Sequence, residues 1–139
     1  MWEINMEKVI FDAGLRKFEL GCGILQFNPM DPNVYERFME AAEKIENLET
    51  ELVKEAEDLP PNGITALAML KSADKKAKDL LNYVFGAGND FDYMLGGVNV
   101  MAVAGNGERV ITNLLNALTP ILEEGASECA ASFAEKANN

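Results

Sequence analysis

The sequence predicts an α+β fold that is mostly α-helical, with a small N-terminal β-hairpin sheet packed on a helical hairpin or bundle. Three observations predict it. Over residues 1–28, Phe18 and Leu20 alternate with Lys17 and Glu19 ahead of a glycine turn, Gly21-Cys22-Gly23. Two long stretches then carry apolar side chains three and four residues apart. Leu59-Pro60-Pro61-Asn62-Gly63 separates these stretches and makes the two helices antiparallel neighbours. No internal repeat or low-complexity linker divides the 139 residues, so the chain reads as a single domain, 1–139.

Each element has its own signal. In the β-hairpin region, Val9, Ile10 and Phe11 precede the turn Asp12-Ala13-Gly14, and Ile24 to Phe27 follow the second turn, which gives two or three short strands. So small a sheet is barely stable alone and needs a helix over one face. Asn28-Pro29 is a turn dipeptide, Asp31 suits an N-cap, and Pro32 suits the first helical position. An acidic helix is therefore predicted over 32–58, with Glu36 near its positive end. Phe38, Ala41, Ile45, Leu48 and Leu52 form its narrow apolar stripe, and Glu40/Lys44 and Lys54/Asp58 are spaced as ion pairs.

The second helix is predicted over 64–85, with Ile64, Leu67, Leu70, Leu81 and Val84 on a broad apolar face and Lys71, Lys75 and Lys78 opposite. Segment 90–103 holds a short helix capped by Asn89 or Asp90, then an extended loop or short strand from Val98 to Val103. Segment 107–137 is read as C-terminal helices. Pro120 should kink or interrupt the first and Gly125 should break it from an Ala-rich last helix, Ala126 to Lys136, with Asn138 and Asn139 frayed.

Composition removes several function classes. The net charge is −11, and the acids concentrate over 34–59. That balance opposes a nucleic-acid backbone and an anionic membrane surface. The chain has no histidine, so Ser-His and Cys-His nucleophile pairs and imidazole-ligated zinc are excluded. Its apolar runs fall far short of the ~18 residues of a membrane span. Met1 to Ile10 is acidic and mixed, unlike a signal peptide. Cys22 and Cys129 lack CxxC spacing and read as free, half-buried thiols of a reducing compartment.

Motifs that carry chemistry are faint. Gly86-Ala87-Gly88 follows a helix, whereas a phosphate loop follows a strand. Asp90 and Asp92 lack the ligand register of a calcium loop and read as a cap and a solvated acid. Glu36/Glu40 and Glu51/Glu55 lie on a solvated face, without the burial that would separate their pKa values. Trp2, Tyr35, Tyr83 and Tyr93 do not sit among basic residues. Met30, Met39, Met69, Met94 and Met101 read as core filler more readily than as partner surface. The sequence thus predicts no enzyme, no catalytic residue, no metal and no cofactor.

The order of motifs resembles a known family. A β-hairpin runs into Phe27-Asn28-Pro29-Met30-Asp31-Pro32 and a helix carrying Tyr35-Glu36-Arg37-Phe38. A second helix ends in Phe85-Gly86-Ala87-Gly88, followed by Phe91-Asp92-Tyr93-Met94-Leu95-Gly96-Gly97-Val98-Asn99-Val100 and a helix with Leu114-Leu115-Asn116-Ala117-Leu118. From about residue 7 to 122 this resembles the small tail assembly chaperones of long-tailed phages and prophages of low-GC Gram-positive bacteria. The Ala-rich stretch after Gly125 is unmatched.

The resemblance implies a non-enzymatic helical protein of the host cytoplasm. It would bind the tape-measure protein during tail assembly, with the tail tube protein as a further partner, and would be absent from the finished tail. In some members a programmed frameshift adds a C-terminal extension, and this chain would correspond to the short form. The alternative is a minor tail or connector subunit retained in the virion. An acidic exterior supplies solubility, and apolar surface left over on the first helix supplies a groove for a partner helix. Phe38, Ile45, Leu48 and Leu52 are the candidate partner-binding residues, and the same narrow stripe permits a homo-oligomer. No nucleic acid and no membrane is expected as a partner.

Overall fold

Backbone pairing begins at Arg16. The computed structural model describes residues 5–59, 63–86 and 88–138. Strands β1 (Arg16–Leu20) and β2 (Gly23–Phe27) pair antiparallel, Phe18 opposite Leu25 and Arg16 opposite Phe27. The third strand that Val9 to Phe11 permitted is not formed, and Met6, Val9, Ile10 and Phe11 are exposed. The turn ahead of β1 explains this. Gly14 has φ +73° and donates its N–H to Asp12, and the Asn28 amide donates to the Ala13 carbonyl at 3.1 Å. The chain thus enters β1 from beside Asn28, at the end of β2, instead of folding back along β1.

Four aromatic rings fasten the hairpin to the helices. Phe18 stacks on Phe27 at 5.2 Å, Phe27 meets Phe85 edge-on at 4.8 Å, and Phe85 lies 5.5 Å from Phe91. Such pairs add to the burial of the rings themselves. Gly21 rests on the following short helix so closely that a Cβ there would overlap the Met94 carbonyl.

Helix α1 (Pro32–Ala56) starts as its sequence predicts: the Asp31 side chain accepts from the Asn33 N–H at 2.9 Å, and Pro32 opens the helix. It stops two residues short of the predicted end, and Glu36 lies beyond its acid-free first turn. Helix α2 (Ile64–Phe85) runs back along it. Arg37 donates to the Val84 carbonyl at one end, and Leu52 and Met69 share a cleft at the other, so the two are antiparallel. Trp2, Pro60, Pro61, Asn62, Ala87 and Asn139 lie outside the described residues, and with them the turn predicted between the helices. Among the described residues no ion pair forms at Glu40/Lys44 or Lys54/Asp58; the ion pairs all involve lysines of α2.

Lys78 corrects the expectation of a solvated lysine face. It is only 4% exposed, and its ammonium reaches Asp92 at 2.6 Å and Asp74 at 3.1 Å. Burial opposes its charge, but the hydrogen bonds to Asp92 and Asp74 outweigh that and hold its pKa above the usual lysine value. Asp92 is accordingly an ion-pair partner. The cap of α3 (Phe91–Met94) is Asp90, which accepts from the N–H groups of Asp92 and Tyr93. Asn89 instead is buried, and its amide both accepts from the Gln26 N–H and donates to the Gln26 carbonyl, each at 2.9 Å.

Residues 98–103 form a loop with a single bridge, Val103 to Arg109, anchored by buried Val100 and Met101. Its carbonyls cap the next helix: Val110 donates to Ala102 at 2.9 Å and Ile111 to Val100 at 2.8 Å. Helix α4 (Val110–Ala137) is one continuous helix, which corrects the predicted break at Gly125 and the interruption that Pro120 allowed. Pro120 is exposed, as are Asn116 and Ala117, so water can reach the carbonyl that proline leaves unbonded. Gly125 is buried, and a Cβ there would overlap the Pro29 carbonyl. It is a close-approach glycine that seats α4 on the Asn28-Pro29 turn. One apolar cluster, including Leu25, Phe38, Leu81, Phe91, Ile111 and Leu122, joins all these elements.

Two predictions follow from this packing. Gly125→Ala should lower stability by about 1–3 kcal/mol in urea unfolding, against the ~1 kcal/mol that helix propensity alone would add. Unchanged or increased stability would remove the close approach as the reason for glycine. Lys78→Met should cost about 3 kcal/mol by leaving Asp74 buried without its cation. The further change Asp74→Asn should recover part of that loss, because Val100 keeps an acceptor for its N–H. Because the folded pKa is raised, Lys78 contributes fully below the unfolded lysine value of about 10.4 and its contribution fades as pH rises through the folded value. The Met variant should lack that alkaline loss.

Candidate partner-binding site

The stripe predicted to meet a partner is divided by the fold. Phe38 is 1% exposed and Ile45 is fully buried, both inside the chain's own core. They cannot touch a partner while the core is closed, which corrects their assignment as contact residues. Leu48 and Leu52 are half-buried. The cause is how far the covering elements extend. The sheet and α3 cover the end of the helical hairpin near Val84 and Phe85, and burial fades toward its open end.

At that open end lies a groove of about 260 Å³. Leu52, Val53 and Ala56 of α1 form one wall, Ala66, Met69 and Leu70 of α2 the other, and Arg109 closes one side. Val53 is 53%, Ile64 74% and Leu67 66% exposed. Large apolar side chains left this open on neighbouring helix turns are the usual mark of an interaction surface. On the adjoining side Leu48, Leu52 and Met69 line a second, smaller cleft of about 120 Å³ with Glu51, Glu55 and Lys76 at its rim.

Arg109 is fixed in place. It holds the N-cap position of α4 with extended backbone, and its guanidinium donates to the Met101 carbonyl at 2.7 Å. Half-buried Glu49 feels it directly. Burial pushes the Glu49 carboxyl above its usual range, the Arg109 charge offsets part of that, and neighbouring Glu46 adds to it. The groove thus carries one cation at its edge within an acidic helix surface.

Sequence reasoning missed Val53, Ala56, Met69 and Arg109 as groove residues and placed Ile64 and Leu67 on the broad apolar face of α2. The available signal was position: Ile64 and Leu67 open α2 immediately after the predicted turn, where the apolar face outruns its cover. The methionines also divide. Met94 and Met101 are buried and Met69 is half-buried, while Met6, Met30 and Met39 are exposed.

Other candidate sites have plain structural roles. Gly86 and Gly88 have φ +87° and +92° and follow the C-terminus of α2, where the helix presents carbonyls and not amides. Cys22 is exposed and Cys129 half-buried, both free thiols. Among the described residues no cluster of three or more Cys, Asp or Glu side chains could hold a metal ion, and no helix is long and apolar enough to cross a membrane. Compared with protein-family models, curated proteins and solved structures, the chain matches none of them.

The electrostatics of the groove edge give one prediction. A raised folded pKa means that the folded chain holds the Glu49 proton more tightly than the unfolded chain does. The stabilisation this supplies is present at acid pH and is lost as pH rises through the folded value. Glu49→Gln should therefore be more stable than the parent at pH 7 and should gain less on acidification. Urea midpoints at pH 7 and pH 4.5 for both chains measure this, and equal pH slopes would rule it out.

Proposed function

We propose that the chain is a non-enzymatic tail assembly chaperone of the host cytoplasm, and that it binds and solubilises a tape-measure protein while the tail is built. The observation that carries the reading is the apolar groove at the open end of the α1–α2 hairpin. A groove between two helix ends, lined by Leu, Val, Ala and Met, accepts the apolar face of a third helix. Methionine in the lining adapts to a partner whose side chains vary along its length. A net charge of −11 keeps such a complex dispersed. The ordered resemblance to tail assembly chaperones supports the identity of that third helix as a segment of the tape-measure protein.

In this reading the family-like motifs are packing devices. The Asn28-Pro29 turn receives Gly125, Asp31 caps α1, and Phe91 and Val100 are core residues. Their role is to hold the helical hairpin so that its far end stays uncovered.

The test is co-expression with tape-measure fragments. The parent chain should keep an apolar helical fragment soluble and co-purify with it. Val53→Asp and Ala56→Asp should each weaken capture about tenfold or more, the scale of losing an apolar anchor from an interface, while leaving thermal unfolding unchanged because both positions line the groove and are exposed. Full capture by the double variant would exclude this groove. Mass spectrometry of gradient-purified particles separates the reading from its rival. A chaperone is abundant in the lysate and missing from particles, whereas fixed stoichiometry in particles identifies a retained tail subunit.

A further inference from the structure

The two-stranded sheet has two outer edges, and the fold treats them differently. Leu20 pairs with Gly23 across the two-residue turn, so these two exchange hydrogen bonds and the ladder alternates from there. The backbone groups of Ile24 and Gln26 therefore point outward from β2, and those of Lys17 and Glu19 point outward from β1. On β2 the edge is blocked at Gln26, where the Asn89 amide takes both the N–H and the carbonyl, and only the groups of Ile24 stay outward without a partner among the described residues. On β1 the outward groups of Lys17 and Glu19 make no hydrogen bond with any other described residue.

The same chain carries an unpaired segment suited to that edge. Residues 5–11 make no hydrogen bonds with other described residues. Val9, Ile10 and Phe11 are β-favouring residue types, and Ile10 is 89% exposed. Within its own chain the segment is led away from β1, because Ala13 and Gly14 are held beside Asn28. Each chain thus has one open edge and one free strand that its own turn keeps apart.

We infer that residues 7–11 of one copy add as a third strand to the β1 edge of a second copy. Charge selects the register. Antiparallel pairing with Lys8 opposite Glu19 places Ile10 opposite Lys17, Val9 opposite Phe18 and Phe11 opposite Arg16. That register puts Val9 and Phe11 on the inner face of the sheet, where Phe18 is only half-buried and already carries the Arg16 guanidinium 5.1 Å above its ring. Phe11 gives that cation a second aromatic neighbour. The charged side chains of Lys17 and Glu19 discourage indiscriminate pairing, and the Lys8–Glu19 match admits this strand. The pairing is an exchange of identical elements between copies, and it does not rest on the chaperone reading.

The experiment is light scattering on the full-length chain over a concentration series, with amide hydrogen exchange on the same samples. The expected result is a mass that rises with concentration from 15.2 kDa to at least twice that value, with protection of the amides of Lys8 and Ile10 appearing in step. Ile10→Pro removes an N–H that the register requires, and it should weaken association about tenfold or more. Its thermal midpoint at low concentration should match the parent, because the position is exposed and unpaired. Lys8→Glu and Glu19→Lys should each weaken association, and the double reversal should restore it. A chain that stays monomeric at every concentration would overturn the inference. So would association that Ile10→Pro leaves intact, or a monomer whose Lys8 and Ile10 amides are protected, which would mark pairing within one chain.

Discussion

The buried ammonium of Lys78 is the interaction on which the rest of the arrangement depends. It pairs with both Asp74 and Asp92, and Asp74 also accepts the Val100 N–H at 2.8 Å. That bond places the loop whose carbonyls receive the first amides of α4, so a helix without a side-chain cap still has its first two N-terminal donors bonded. Met101, in the same loop, holds Arg109 at the groove wall. A single cation on α2 therefore fixes α3, the loop, the start of α4 and one side of the candidate binding groove. Removing it would leave a mostly buried carboxylate unpaired, which makes the cluster costly to disturb and suited to specifying one arrangement.

What could be read from the sequence was local. Asp31-Pro32 specifies a helix start through one side-chain bond and one fixed φ, and the 3-and-4 spacing of Phe38, Ala41 and Ile45 specifies a buried face. What could not be read was contact between distant segments. Lys78 shares a helical face with Lys71 and Lys75, and only Asp92, fourteen residues on, distinguishes it. Gly125 has the local signature of a helix break, and only the Pro29 carbonyl, nearly a hundred residues earlier, turns it into a packing requirement. Val9-Ile10-Phe11 has the composition of a strand, yet the Asn28 amide draws the turn that follows it away from the edge it would join. In each case a local propensity was overridden by one long-range polar or steric contact.

The apolar character of the candidate stripe was legible, and where along α1 it becomes exposed was not. Core and interface draw on the same apolar residue types, so the stripe from Phe38 to Leu52 carried no internal mark of where cover ends. The mark lies in the third dimension. Aromatic contacts from the sheet and α3 cluster around Phe85, at one end of the helical hairpin, and leave the other end to Leu52, Val53 and Met69. Length decides the outcome: α1 has 25 residues, about 37 Å at the α-helical rise, while the sheet strands have only five residues each. A hairpin that long outreaches its own core.

The same length separates the two exposed surfaces from each other. The open strand edge lies with the sheet, beside the end of α2 at Phe85, and the groove lies beside its start at Ala66 to Leu70. About four helical turns stand between them, so a strand added to β1 does not reach Val53 or Leu67, and a helix seated in the groove does not cover Lys17 or Glu19. The intervening surface of α1 is the acidic one, with Glu36, Glu40, Glu43 and Glu46 around exposed Met39. Like-charged faces repel at short range, so this face disfavours contact between copies, and the apolar groove and the open strand edge lie to either side of it. Uneven cover thus divides the surface: an acidic face along α1, an open strand edge at one end and an apolar groove at the other.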